Sequence, residues 1–214
     1  KSEELRVYLG IILSAIVLIS INTFTMFPSL YECIHHVAFT VGSIITTTGY
    51  ATVDFDLWPM FSKGILVLLM FIGACAGSTG GGLKVSRIVI LIKSSLRELS
   101  NTVHPRHVKQ IRFEGKMVEA GVVHGVERYL AMYLLIMIIS IMLVSICNND
   151  FTTNFTAVAA TLNNIGPGLS LVGPTCNFAH FDVLSKLVLT FDMLAGRLEL
   201  YPMLILCVPS LWER

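Results

Sequence analysis

The chain has 214 residues, of which 54% are hydrophobic and 14% charged, and 15 Lys and Arg against 14 Asp and Glu leave a net charge of +1. A mean hydropathy of +0.75 excludes an ordinary water-soluble domain, and no basic excess points to a nucleic-acid partner. The balance is that of an integral membrane protein.

Residues 7–27 carry no charge and suffice to cross about 30 Å of hydrocarbon as a helix. No small-residue cleavage site follows, so this is a retained span rather than a signal peptide. The next apolar stretch, residues 31–45, reaches only about 22 Å as a helix and cannot cross. It leads into Thr46-Thr47-Thr48-Gly49-Tyr50. Non-helical backbone at that depth survives only inside protein or beside a watery cavity, which predicts a re-entrant loop. The composition of the five residues suits an ion filter. A dehydrating K⁺ needs oxygen ligands, backbone carbonyls supply them, glycine tolerates the backbone angles, and threonine adds further oxygens.

Residues 64–83 form a second uncharged stretch of spanning length. The run from 60 to 96 is too long for one ordinary span, however, and its middle holds Gly73, Gly77, Ser78, Thr79, Gly80, Gly81 and Gly82. Each glycine costs a helix about 1 kcal/mol relative to alanine, so a break is expected there. Two readings of that break stand, a gate beneath the filter or close helix packing through small residues. A phosphate-binding loop is excluded, because Leu83 separates Gly82 from Lys84 and no Ser or Thr follows the lysine.

Lys84, Arg87, Lys93, Arg97, Arg106, Lys109, Arg112 and Lys116 all fall in one connection, which the positive-inside rule places in the cytoplasm. The filter mouths then face outward, near Asp54, Asp56, Asp150 and Asp182. These acids either concentrate cations or simply cap helices. His104 and His107 have helical spacing but no third ligand nearby, and read as surface histidines. Cys33, Cys75, Cys147, Cys176 and Cys207 are scattered, with no disulfide framework.

The pattern then repeats. Residues 129–149 form an uncharged span, residues 151–165 a stretch too short to cross, and Asn163-Asn164-Ile165-Gly166-Pro167-Gly168 a second glycine-containing segment. A final apolar stretch, 187–209, is interrupted by Asp192, Arg197 and Glu199. Gly49 and Gly166 occupy equivalent places, and a carbonyl-lined filter tolerates the loss of threonines in the second copy. Each short helix would direct the negative end of its dipole toward a cation. Arg197 should face a wet cavity or a partner. Helical angles turn it away from Asp192 and Glu199, so we expect it either to donate hydrogen bonds to the glycine loop or to pair with an acid on another helix.

The fold class expected is therefore an all-α integral membrane protein of two tandem span, re-entrant pore loop, span repeats. Residues 5–97 would form one pore repeat, 98–125 a cytoplasmic basic connection, and 126–212 the second repeat. With Gly77-Ser78-Thr79-Gly80-Gly81-Gly82-Leu83-Lys84, His104-Pro105-Arg106 and Gly196-Arg197-Leu198-Glu199-Leu200-Tyr201-Pro202, the chain resembles the Trk-type potassium uptake superfamily of TrkH, KtrB and plant HKT transporters. Glu199 favours the TrkH-like branch. The resemblance covers nearly the whole chain and matches the third and fourth of that family's four pore repeats.

The resemblance implies K⁺ as the transported ion, no organic cofactor and no enzymatic activity. It also implies a multi-pass protein of a bacterial or archaeal plasma membrane, surrounded by membrane lipid. Thr46 to Tyr50 and Asn163 to Pro167 would form filters, and Gly77 to Gly82 with Arg197 a gate. A homodimer and a cytosolic nucleotide-binding regulatory subunit of the TrkA or KtrA kind are implied as partners. The alternative function is sodium and potassium cotransport of the KtrB or HKT type, and more remotely a non-conducting anchor. Two repeats cannot surround an ion, so the sequence is expected to be a piece of a longer chain or to work as paired copies.

Overall fold

The computed structural model describes residues 2–78, 80–104, 110–147, 149–198 and 200–206. Most of these residues fold into helices, and the strands named are those of one small hairpin. Helix α1 (Glu3–Thr23) starts at Ser2, whose hydroxyl accepts the Leu5 N–H at 3.2 Å, with Glu3 and Glu4 in its first turn. Hydroxyl and acids both suit the exposed amides and positive end of a helix N-terminus. Leu13, Val17 and Ile21, four residues apart, are 63%, 55% and 74% exposed. Such a stripe would be costly in water and suits contact with lipid. Helix α5 (Ala120–Val144) presents a similar stripe through Leu135, Ile138 and Met142. Among the described residues these two helices, with the short turns that extend them to Met26 and Cys147, are long and apolar enough to cross a membrane unbroken.

The uncharged run 64–83, long enough for a single span, is not one helix. Helix α3 (Met60–Phe71) stops at its twelfth residue, and regular helix resumes only in α4 (Val85–Val103). The backbone between them folds back on itself. Gly73 donates to the Leu83 carbonyl at 2.8 Å, and Leu83 to that of Phe71 at 3.2 Å. Gly77 and Gly82 have φ of 83° and 73°, a backbone hand that disfavours side chains.

Within the connection expected over 98–125, α4 runs on to Val103 and α5 begins at Ala120. Between them lies a hairpin of β1 (Arg112–Phe113) and β2 (Lys116–Met117), paired Arg112 to Met117 and Phe113 to Lys116. Its two-residue turn is Glu114-Gly115, both with positive φ, the backbone hand that matches strand twist. Arg106, His107 and Lys109 lie outside the described residues.

The half-membrane helices are α2 (Leu30–Ile45) and α6 (Phe151–Leu162). Helix α2 packs with α1 and α3 around Ile19, Val37, Val41, Ile45, Leu66 and Met70, and Ile165 and Leu169 of the second half insert into that core. In α6, Ala157 to Ala160 are fully buried, as a helix ending in mid-membrane must be. Its buried hydroxyls stay satisfied: Thr156 donates to the Thr152 carbonyl at 2.7 Å and Thr161 to that of Ala157 at 2.8 Å. The last apolar stretch comprises α7 (Val183–Leu198) and α8 (Leu200–Leu206), with Glu199 between them outside the described residues.

Candidate functional site

Both short helices end in the same way. At the first, the N–H groups of Thr46, Thr47 and Thr48 donate to Gly42, Ile44 and Ser43 carbonyls at 3.0, 3.0 and 2.8 Å. At the second, those of Asn163, Asn164 and Ile165 donate to Ala159, Thr161 and Ala160 at 3.1, 3.0 and 2.8 Å. Every pair is offset by 117 residues (163 minus 46), the separation of Gly49 from Gly166. The backbone hand repeats too. Thr47 and Asn164 have φ of 56° and 55°, and two residues later Gly49 and Gly166 have 79° and 109°. Asparagine takes this conformation readily after a helix end, whereas a β-branched threonine there is strained and persists only where surroundings impose it.

The two segments touch. A Cβ placed on Gly49 would lie 2.0 Å from the Ile165 carbonyl oxygen and 3.1 Å from the Pro167 ring, so both the close approach and the backbone hand require glycine there. At Gly166 the same construction meets no described atom within 4 Å. Thr47, Thr48, Asn164, Ile165 and Gly166 line one groove of about 670 Å³. Thr46 turns its hydroxyl back to the Gly42 carbonyl at 2.7 Å and meets the Thr48 hydroxyl at 2.8 Å. The Thr46 proton being committed, Thr48 is the donor of that second bond. Tyr50 is 74% exposed.

The glycine loop lies against the start of both segments. Gly81 donates to the Thr47 hydroxyl at 3.4 Å, and a Cβ on Gly81 would come within 2.2 Å of the Asn163 carbonyl oxygen. A Cβ on Gly73 would meet the Gly81 carbonyl at 2.3 Å, so the loop's two strands are nearly in backbone contact. Lys84 grips the loop from within, donating to the Ser78 and Gly80 carbonyls at 2.8 and 2.6 Å. The sequence reads Lys84 only as one cation of the basic connection, and Arg197, for which either the glycine loop or an acid on another helix is expected as partner, opens on the same small cavity as Ser78, Gly80 and Gly82. Gly77 lies at the loop's outer bend, and Thr79 is outside the described residues.

Several residues support these segments, of which Tyr133 and Ser140 carry no sequence signal of their own. Tyr133 of α5 donates its hydroxyl to the Asn163 side-chain oxygen at 2.9 Å, while the Asn163 amide donates to the Ala159 carbonyl at 2.7 Å. Both side chains are buried. Asn164 donates to the Met193 carbonyl at 3.1 Å. Gly196 lets α7 approach the end of α6, since a Cβ there would fall 1.9 Å from the Leu162 carbonyl. Asp192 is fully buried and accepts from the Ser140 hydroxyl at 2.7 Å.

The four outer aspartates hold local structure. Asp54 accepts from the Asp56 N–H at 3.0 Å, Asp56 pairs with Lys63 at 3.2 Å, and Asp182 accepts from the Ser185 N–H at 2.9 Å. Asp150 caps α6, and the Thr153 hydroxyl, aided by the Thr153 N–H, holds its carboxyl below the usual carboxylate range. No group of three or more metal-ligating side chains occurs among the described residues.

A family model described as TrkH, cation transport protein, matches residues 8–214. The chain is 36% identical over 215 residues to the Trk system potassium uptake protein TrkH of Salmonella typhimurium, covering 100% of this chain and 44% of that protein. It is 37% identical over 215 residues to the protein of that name from Vibrio parahaemolyticus, with the same coverage. The Escherichia coli Trk system potassium uptake protein TrkG is 33% identical over 214 residues, again 100% of this chain and 44% of that protein. The crystal structure of the potassium transporter TrkH from Vibrio parahaemolyticus superimposes with a TM-score of 0.89 at 37% identity, over 100% of this chain and 46% of that one. The chain thus spans a little under half the length of these relatives.

Proposed function

Since the chain belongs to the TrkH family of cation transport proteins, we propose that it supplies half of a potassium uptake pathway in the plasma membrane. The family is one of transporters and not of enzymes. Residues 5–97 and 126–212 act as two pore repeats, joined by the connection 98–125. Thr46 to Tyr50 and Asn163 to Pro167 are the filter segments, and their backbone carbonyls stand in for the water that K⁺ sheds. The negative ends of α2 and α6 favour the cation at the start of each filter. Gly77 to Gly82 form a gate on the inner side, with the charges of Lys84 and Arg197 restraining cation flow until the loop moves.

The observation that carries this reading is the contact of Gly49 with the Ile165 carbonyl, between two segments whose backbone hand repeats residue for residue. Unrelated helix ends have no reason to repeat a left-handed residue two positions before a left-handed glycine and then to abut. K⁺ is the cargo, and no organic cofactor takes part. By family resemblance the working assembly is a homodimer joined by a cytosolic nucleotide-binding subunit of the TrkA or KtrA kind.

The test is uptake of ⁸⁶Rb⁺ into vesicles holding the intact protein, with K⁺ or Na⁺ as competitor, beside growth rescue of a bacterium lacking K⁺ uptake. Saturable uptake displaced by K⁺ before Na⁺ is expected. Absence of uptake, or equal displacement by both ions, overturns the proposal.

A further inference from the structure

The glycine loop is held on its flank by a carboxylate from a helix seventy residues away in sequence. Glu4 lies in the first turn of α1 and is 9% exposed. Its Oε1 accepts the Ala76 N–H at 2.7 Å and the Ser86 N–H at 3.0 Å. Ala76 belongs to the loop, whereas Ser86 is the second residue of α4. One oxygen therefore caps the helix that follows the loop and restrains the loop itself. A carboxylate suits this place, because amides at a helix N-terminus lack intrahelical acceptors and the helix dipole is positive there.

Glu4 is itself anchored from the cytoplasmic hairpin. Its backbone N–H donates to Glu114 Oε1 at 3.0 Å, and the Ser2 hydroxyl donates to the same oxygen at 2.8 Å. Lys93 of α4 pairs with Glu3 and donates to the Arg112 carbonyl at 2.7 Å, tying α4, α1 and the hairpin together. A continuous set of hydrogen bonds thus runs from the hairpin turn through the start of α1 to the loop. Charged donors and acceptors make such bonds short and strong.

We propose that Glu4 is a positioning residue that latches the glycine loop, and that the hairpin of residues 112–117 is the handle through which displacement of the cytoplasmic connection reaches it. This rests on reading the loop as a gate. The handle is a closed hairpin with Glu114 in its two-residue turn, tied to α4 by the Lys93 bond to the Arg112 carbonyl. A pull on the hairpin therefore moves Glu114, and with it the first turn of α1.

The test reads loop position separately from conduction. Cys75 adjoins Ala76 and is partly exposed. In the intact protein, with its other cysteines replaced, the rate at which maleimide labels Cys75 reports how firmly the loop is held. Glu4→Ala should speed labelling at least about tenfold, the effect of losing roughly 1.4 kcal/mol of restraint. Glu4→Gln also removes the charge near the Cys75 thiol but keeps an oxygen that accepts both N–H groups, so Glu4→Ala should label markedly faster than Glu4→Gln. Glu114→Ala should fall between them. Should the alanine variant fail to insert, Glu4→Asp withdraws the carboxylate by one methylene and is expected to speed labelling in its place.

Parental labelling in Glu4→Ala and Glu4→Asp, or labelling of Glu4→Ala no faster than of Glu4→Gln, overturns the latch, and parental labelling in Glu114→Ala overturns the handle. ⁸⁶Rb⁺ flux is measured on the same vesicles. Faster labelling with faster flux supports latch and gate together. Faster labelling with unchanged flux leaves the latch standing and overturns the gate.

Discussion

Replacing Gly49 with alanine places a methyl group 2.0 Å from the Ile165 carbonyl oxygen, at a backbone φ of 79°. The conformation alone costs about 1–2 kcal/mol for a residue with a Cβ. The contact is the larger problem. Real Cβ atoms stay at least 3.0 Å from such neighbours, so the oxygen must retreat by about 1 Å (3.0 minus 2.0). Ile165 is buried in the core around α1, α2 and α3 and its N–H is held by Ala160, so the strain falls on the backbone of the proposed filter segments rather than on a free loop. A displacement of that size exceeds the difference in radius between neighbouring alkali ions. Gly49→Ala should therefore lower the preference for ⁸⁶Rb⁺ over Na⁺ at least about tenfold, equivalent to roughly 1.4 kcal/mol. Gly166→Ala is the control, strained by its φ of 109° but meeting no described atom within 4 Å. Competitive uptake into vesicles by the intact protein measures both. An unchanged ratio in Gly49→Ala, or a larger defect in Gly166→Ala, would refute the reasoning.

Three further outcomes are expected. Gly196→Ala drives a methyl to 1.9 Å from the Leu162 carbonyl and 2.6 Å from the Asn164 amide; overpacking of this kind costs about 1–3 kcal/mol, and thermal unfolding in detergent should show a lower midpoint. Tyr133→Phe keeps the ring but leaves the buried Asn163 oxygen without its donor; a loss of about 1–3 kcal/mol follows, read in the same melt, with weakened ion selectivity in the uptake assay. The third concerns pH. The Glu4 N–H, and then the Ser2 hydroxyl, hold the Glu114 carboxyl below the usual carboxylate range. A depressed folded-state pKa stabilises above the unfolded value of about 4.3, and that stabilisation is lost as pH falls through the folded one. The parent's midpoint should therefore fall more steeply in acid than that of Glu114→Gln, and parallel curves would count against the anchoring role of Glu114.

Much of the architecture was legible because hydrocarbon imposes few solutions. A charge-free run of spanning length is a helix, one too short to span must turn back, and a glycine run at mid-depth must break. Those rules located α1, α2, α5, α6 and the break after Phe71. They also marked Gly49 and Gly166 as equivalents, which the hydrogen bonds offset by 117 residues repeat in detail. The hairpin at residues 112–117 escaped notice, although Glu114-Gly115 is a suitable two-residue turn, because its strands are too short to show a period.

What the chain alone determined is the inventory: which segments enter the membrane, which stop halfway, and where a backbone free of side chains is needed. What only the tertiary structure decided is who meets whom. Lys84 donates to two loop carbonyls, Tyr133 braces Asn163, and Glu4 reaches Ala76. The physical reason is that periodicity and composition report a residue's exposure to lipid, water or protein, which local sequence encodes. Hydrogen bonds such as those from Tyr133 to Asn163, 30 residues on, or from Ala76 to Glu4, 72 residues back, depend on how helices settle against one another, and that geometry is fixed by the sum of all their packing contacts.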